Sequence, residues 1–316
     1  MLSRHAEHLF WIGRYVERAE DTARMLDVTY HTLLESPPSE EGPAWRELLE
    51  VLHLHEVFDD EPTAAAVSRY LVLDPANPGS VVSAVDRART NAQAVRDRIS
   101  TEMWEAINAF FLELQEMDLG TALDRRPYEV FRTIKNRCQA INGVSAQTMP
   151  RDDGYRFSVL GLMLERAEMT CRLLAVRYAR LTRGSQPMWF HAWVAVLKSV
   201  SAFEAYLKEH EAALEPTRVL EFLLLSTTFP RSVLYCLRVA ETQLGGLTPG
   251  TRSTAQRLLG RVRARCEFAD VDEILDSGLD QFLEELQQDI YDVAEAVDAH
   301  FFRSGTDLDL RSIEST

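Results

Sequence analysis

GRYVERAEDTARMLD, residues 13–27, decides how this chain is read, because GLMLERAEMTCRLLA at 161–175 repeats it without a gap. Eight of the fifteen positions are identical: Gly13/Gly161, Glu17/Glu165, Arg18/Arg166, Ala19/Ala167, Glu20/Glu168, Thr22/Thr170, Arg24/Arg172 and Leu26/Leu174. Two more blocks follow in the same order. At the same spacing of 148 residues, Trp45, Leu49, Glu56 and Phe58 meet Trp193, Leu197, Glu204 and Tyr206. At a spacing of 152, YLVLDPANPGSV (70–81) meets FLLLSTTFPRSV (222–233), so Pro78, Ser80 and Val81 fall on Pro230, Ser232 and Val233. Ala88 and Thr90 fall on Ala240 and Thr242. A loop absorbs the change of spacing, since connections tolerate insertions that helices do not.

Three collinear blocks predict a duplicated helical unit. The expected fold is all-α: one body spanning 1–303, made of two diverged repeats of about 1–148 and 149–303. A copied unit packs on its twin as the subunits of a symmetric dimer do, about an internal pseudo-two-fold axis. The two ERAE helices are therefore expected to cross or lie side by side near the centre.

Elsewhere, apolar residues recur at helical spacing and no stretch alternates with period two. Pro- and Gly-rich clusters at 36–43, 74–80, 149–154, 183–187 and 245–251 punctuate the pattern. They leave helical stretches near 3–35, 43–59, 62–73, 79–117, 127–147, 155–182, 187–213, 216–226, 231–246, 251–267 and 271–303. Pro78 and Pro230, each two residues before a serine, mark helix starts, and Gly245, Gly246 and Gly250 mark a helix end and turn. The polar residues 304–316 read as a flexible tail.

On the first ERAE helix, Leu9, Ile12, Val16, Ala19, Ala23 and Leu26 form one apolar arc. Gly13, Glu17, Glu20 and Arg24 lie beside that arc; Arg18 lies opposite, with Arg14 and Asp21 near it. The second copy has Leu162, Met163 and Met169 where the first has Arg14, Tyr15 and Asp21, so its helix should be buried on nearly every side, Arg166 included. Glycine inside a helix costs about 1 kcal/mol against alanine. Gly13 and Gly161 therefore point to a close approach of another helix or of a ligand.

Buried Glu and Arg must be paired or lose their charge. Glu20→Arg24 and Glu168→Arg172 have the favourable i,i+4 order, but such a pair contributes only ~0.3–0.5 kcal/mol at a surface. Two readings stay open. The eight repeated charges form an ion-pair network that fixes how the copies dock, or they line a polar cavity in which Glu takes an ammonium and Arg a carboxylate or phosphate.

With 49 acids against 34 bases the chain carries a formal charge of −15. That charge disfavours nucleic acid, whose phosphates need clustered Lys and Arg, and anionic membranes. No apolar run approaches the ~20 residues of a membrane span, and the start has no signal-peptide pattern. Cys138, Cys171, Cys236 and Cys266 are scattered without a CxxC pair, as expected of reduced, buried thiols in a cytoplasmic protein. Glu50-x-x-His53 is one half of a dimetal motif, but the second copy has Lys198 where Glu50 would be repeated, so no metal is expected. His5, His8, His55 and His191 read as surface or core polar groups, and Trp104, Phe110 and Phe111 as core. No phosphate-binding glycine motif is present, and no cofactor is implied.

The string MLSRHAEHLFWIGRYVERAEDTARMLD resembles the signature of the bacterial Alpha-E family, helical proteins with a Glu-Arg motif. The likeness continues through NPGSVVSAVDRARTNAQAVRDRISTEMWEAIN (77–108), LGLMLERAEMTCRLL (160–174) and FLLLSTTFPRSV (222–233). Family members usually place Glu and Arg around the Asn of the third motif, where this chain has Thr90 and Gln93. The resemblance implies partnership with a circularly permuted ATP-grasp ligase, with a transglutaminase-like peptidase in the same pathway. The expected role is an accessory or acceptor-binding subunit for peptide or amide ligation. Its polar centre would be Glu17, Arg18, Glu20, Arg24, Glu165, Arg166, Glu168 and Arg172. An amide-forming transferase using a Glu as general base, or a purely structural scaffold, are the alternatives.

Overall fold

The computed structural model describes residues 1–181, 186–210, 214–247 and 253–303. The expected tail at 304–316 and Gly250 lie outside the described residues. Among those described the chain is all-α, with no strand. The first long helix is α1 (Ser3–Leu34), followed by α2 (Glu41–Val51), α3 (Ala64–Val72), α4 (Val81–Ala94), α5 (Thr101–Glu116), α6 (Leu119–Arg125) and α7 (Pro127–Thr148). Then come α8 (Asp153–Leu181), α9 (Gln186–Ser199), α10 (Phe203–Glu209), α11 (Pro216–Leu225), α12 (Val233–Leu247), α13 (Thr254–Glu267), α14 (Val271–Ser277) and α15 (Leu279–Val297).

Helix starts follow side-chain chemistry. Ser80, Ser100 and Ser253 each accept a backbone N–H from the third residue of the helix that follows, and Gln256 completes a capping box with Ser253. Asp270 does the same at α14. At the two predicted proline starts, the serines set the helix ends: Ser80 caps Ser83, and Ser232 Oγ accepts from the Tyr235 amide.

Four predicted helical stretches are broken or cut short. The run at 79–117 divides into α4 and α5, and the run at 271–303 divides at Gly278, whose φ is 107°. The runs at 43–59 and 187–213 end early, at Val51 and Ser199. Just beyond those ends, His53 (φ 57°) and Ser201 (φ 53°) adopt the left-handed conformation that residues other than glycine rarely take. Apolar periodicity continues through both breaks, so hydrophobic pattern alone does not show them.

The body is organised around α1 and α8. Helix α1 packs against α8, α4 and α7; helix α8 packs against α1, α12 and α15. Helix α2 lies against both central helices, and so does α9. Trp45 on α2 and Trp193 on α9 are both buried. The two central helices meet backbone to backbone. A methyl group on Gly13 would sit 2.0 Å from the Ser158 carbonyl oxygen, and one on Gly161 would sit 2.1 Å from that of Phe10. The glycines permit this helix–helix contact. No described helix is long and apolar enough to cross a membrane.

Candidate functional site: two ion-pair ladders

The crossing at the two glycines sets the charged residues of α1 and α8 against each other one turn further on. Glu17 receives both Nε and Nη2 of Arg166, at 2.6 and 2.9 Å. Reciprocally, Glu165 receives Nε and Nη2 of Arg18, at 2.6 and 3.1 Å. Such fork-to-fork pairs are the stronger, geometrically specific form of the Arg–carboxylate bond.

A second arginine joins each glutamate to its neighbour one turn along. Arg231, in the loop before α12, donates Nη1 to Glu17 at 2.6 Å and Nη2 to Glu20 at 2.8 Å. Arg14, on α1 itself, donates Nε to Glu165 and Nη2 to Glu168, both at 2.5 Å. Glu20 then holds Arg24, and Glu168 holds Arg172. The outcome is two alternating ladders of five charges: Arg166–Glu17–Arg231–Glu20–Arg24 and Arg18–Glu165–Arg14–Glu168–Arg172.

All eight charged residues expected at a polar centre stand in these ladders, divided four and four. Sequence reasoning missed the two middle rungs. Arg14 and Asp21 were expected on the far side of α1, but both are buried, because α4, α7 and α8 leave that helix little free surface. Arg231 lies where the repeat differs, opposite Gly79, so comparing the repeats passes over it. Its signal was a lone arginine in the apolar string FLLLSTTFPRSVL.

The ladders differ in charge and in cover. In the first, Asp21 Oδ1 accepts from Arg231 at 2.8 Å and Gln139 donates to Glu20 at 3.2 Å. Three acids therefore face three arginines. In the second, Met169 occupies the position corresponding to Asp21, and two acids face three arginines. The first ladder is closed: its end residue Arg166 has a 12% exposed side chain. The second opens at both ends, with Arg18 at 28% and Arg172 at 24%.

The far ends also differ. Arg24 donates to Ser201 Oγ. Beside Arg172 stands His53, 148 positions before Ser201 and likewise left-handed. Burial, then the charge of Arg172, lowers the His53 pKa, against the pull of Glu168.

Electrostatics match the pairing. Burial alone would raise the pKa of Glu17, but Arg166 and Arg231 outweigh it and hold the carboxylate at about 2. Arg14 and Arg18 hold Glu165 at about 2 in the same way. Asp21 goes the other way: burial and the neighbouring Glu17 push it up to about 7 despite Arg231. All four cysteines are free and buried, with thiol pKa values raised by burial. Among the described residues no group of His, Cys, Asp and Glu side chains is placed to hold a metal.

A cavity of about 280 Å³ lies between α1, α7, α8 and α12, walled by Gly13, Ser158, Leu162, Tyr235 and Arg166. Arg166 brings little free charge to it, since its donors go to Glu17 and, at 3.3 Å, to the Pro230 carbonyl. A shallow pocket near Leu73 and Leu114 is remote from the ladders.

The fold and its charged centre thus define an all-helical protein in which a Glu-Arg pair on one central helix grips its counterpart on another. Residues 1–302 match Alpha-E, described as a predicted alpha-helical domain with a conserved ER motif, and the chain belongs to that family. It is 26% identical over 321 residues to the uncharacterized protein Rv2567 of Mycobacterium tuberculosis, and equally to the uncharacterized protein Mb2597 of Mycobacterium bovis. Each match covers 92% of this chain and 36% of the relative, so the chain spans about a third of their length. No solved structure matches.

Proposed function

We propose that the protein is an accessory or acceptor-binding subunit of an ATP-grasp-type peptide or amide ligase, holding a peptide or amino-acid-like group at its Glu/Arg centre. The observation that carries this reading is the open second ladder, where Arg18, Glu168 and Arg172 keep part of their surface toward solvent. Arginine recognises carboxylates through paired N–H donors, and a glutamate beside it suits an ammonium. The family resemblance supports the ligase partner, and a transglutaminase-like peptidase would act in the same cytoplasmic pathway. We also infer that the chain is two diverged copies, about 1–148 and 149–303. The reciprocal pairs Arg166–Glu17 and Arg18–Glu165 support that inference.

An architectural reading is favoured at the first ladder. Glu17 is wholly buried and Glu20 nearly so, and every carboxylate there is paired within the chain. Networks of this kind fix how elements dock more than they add net stability.

The test compares Glu20→Gln and Glu168→Gln, measuring melting temperature and product formation with an ATP-grasp-type ligase as partner. Glu20→Gln should lower melting sharply. Glu168→Gln should leave most of the melting temperature and abolish product. Full product formation by a folded Glu168→Gln protein, or failure of ligase and subunit to co-purify, overturns the proposal.

A further inference from the structure

The second ladder has one positive charge more than its acids neutralise, and its least committed cation is Arg172. Among the described residues that guanidinium donates to Glu168 alone, and its Nε, like that of Arg24, is buried without a hydrogen-bond partner. A buried donor left unpaired is unfavourable. At the corresponding place in the first ladder, Arg24 has Ser201 Oγ as a further acceptor. His53, which holds that place beside Arg172, is exposed and makes no side-chain hydrogen bond among the described residues.

The first ladder has a third acid, Asp21, seated on the middle arginine and only partly ionised near neutral pH. The second ladder has Met169 there, 5% exposed, and among the described residues no other carboxylate takes the role. The second ladder thus has one acid fewer than arginines, and its Arg172 end, 24% exposed, lies beside the exposed His53.

We propose that the Arg172 end of the second ladder binds the carboxylate of an external ligand, which acts as the missing third acid, with His53 at the entrance. The proposal rests on reading the Glu/Arg centre as a binding site, but not on the ligase partnership. A singly charged carboxylate fits better than a phosphate dianion. One negative charge completes the balance, whereas a second would face Glu168, whose carboxylate stands at the same end. His53, left-handed and exposed just beyond α2, stands beside an Arg172 side chain that is 24% exposed.

Titration calorimetry of the full chain with N-acetylglycine, its neutral amide N-acetylglycinamide, and inorganic phosphate tests this. N-acetylglycine should bind saturably and stoichiometrically, the neutral amide should not bind, and phosphate should bind more weakly. Arg172→Gln should weaken N-acetylglycine by roughly tenfold or more. Met169→Asp, which installs the third acid inside the chain, should do the same. Arg218→Gln, an exposed residue remote in sequence, should change nothing. Should both site variants fail to fold, phenylglyoxal labelling of the unaltered protein replaces them: N-acetylglycine should protect Arg172 and spare Arg218.

Three results overturn the proposal: no saturable N-acetylglycine binding up to about 10 mM, phosphate binding as tightly as the carboxylate, or undiminished binding in a folded Arg172→Gln protein. Carboxylate binding without ligase co-purification would defeat the ligase partnership and keep this site. Co-purification without carboxylate binding would do the reverse.

Discussion

Asp21 gives one carboxylate oxygen to Arg231 at 2.8 Å and keeps the other buried without a partner. Its pKa, raised to about 7 by burial and Glu17, sets a pH dependence of unusual sign for an acid. A carboxyl whose folded pKa exceeds its unfolded value contributes stability fully below the unfolded pKa and loses it as pH rises through the folded one. Between about pH 4 and pH 7, therefore, Asp21 makes the fold progressively less stable. Asp21→Asn, which cannot ionise, should gain on the unaltered protein across that range by on the order of a few kcal/mol. Thermal melts at pH 5, 6, 7 and 8 check it; a constant gap between the two proteins would contradict the Asp21 assignment.

Glu17 and Glu165 have the opposite sign. Held at about 2, they contribute stability above their unfolded pKa and lose it as pH falls from about 4.5 toward 2. Glu17→Gln should cost about 3–5 kcal/mol at neutral pH, because Arg166 and Arg231 are left buried without their shared acid. Denaturant titration gives the value. Adding Arg166→Gln should recover part of the loss, and a strictly additive double variant would rule out the pairing as the cause.

Gly13→Ala and Gly161→Ala should each destabilise by about 3 kcal/mol or more, since the new methyl meets a backbone carbonyl that only separation of α1 and α8 can relieve. The double variant should cost less than the two losses added, once the first has opened the crossing. Gly143→Ala, in α7 with nothing within 4 Å of the added atom, should instead stabilise by about 0.5–1 kcal/mol. Chemical denaturation of the set measures all three.

His53→Gly and Ser201→Gly should move stability in opposite directions. Both relieve a left-handed φ that costs a side-chain-bearing residue ~1–2 kcal/mol. Ser201→Gly also removes the acceptor of the buried Arg24, whereas His53 gives up no hydrogen bond. The first variant should therefore melt higher than the parent and the second lower; a common sign for both would mean that Ser201 does not anchor Arg24.

The four thiols, buried and with pKa values raised by burial, should resist a water-soluble thiol reagent in the native state. All four should react on unfolding. Fast native-state labelling of any of them would show an opening that this packing does not contain.

The repeated ERAE string carried much of this architecture on its face, because glycine at a helix crossing and charges one turn away are local properties of one helix. It placed α1 against α8 and named eight of the ten ladder residues. Arg14 and Arg231 escaped because each middle rung comes from a position the repeats do not share. His53 and Ser201 escaped because a single left-handed residue leaves no mark on apolar periodicity, and neither is the glycine that usually announces such a turn. The difference between the ladders rests on Asp21 against Met169, one substitution inside an otherwise matched block, whose importance emerges only when Arg231 is seen beside it.

The fork between Arg166 and Glu17 joins residues 149 positions apart, and Arg231 reaches Glu17 across 214. A nascent chain that has emerged only through α7 holds its first helix with acids whose counter-ions have not yet been synthesised. Closure of these long loops must wait for late translation, so the fold should assemble as one event near the end of synthesis rather than half by half. Expression of residues 1–148 alone would then yield a chain prone to aggregate or to seek a second copy for the missing arginines.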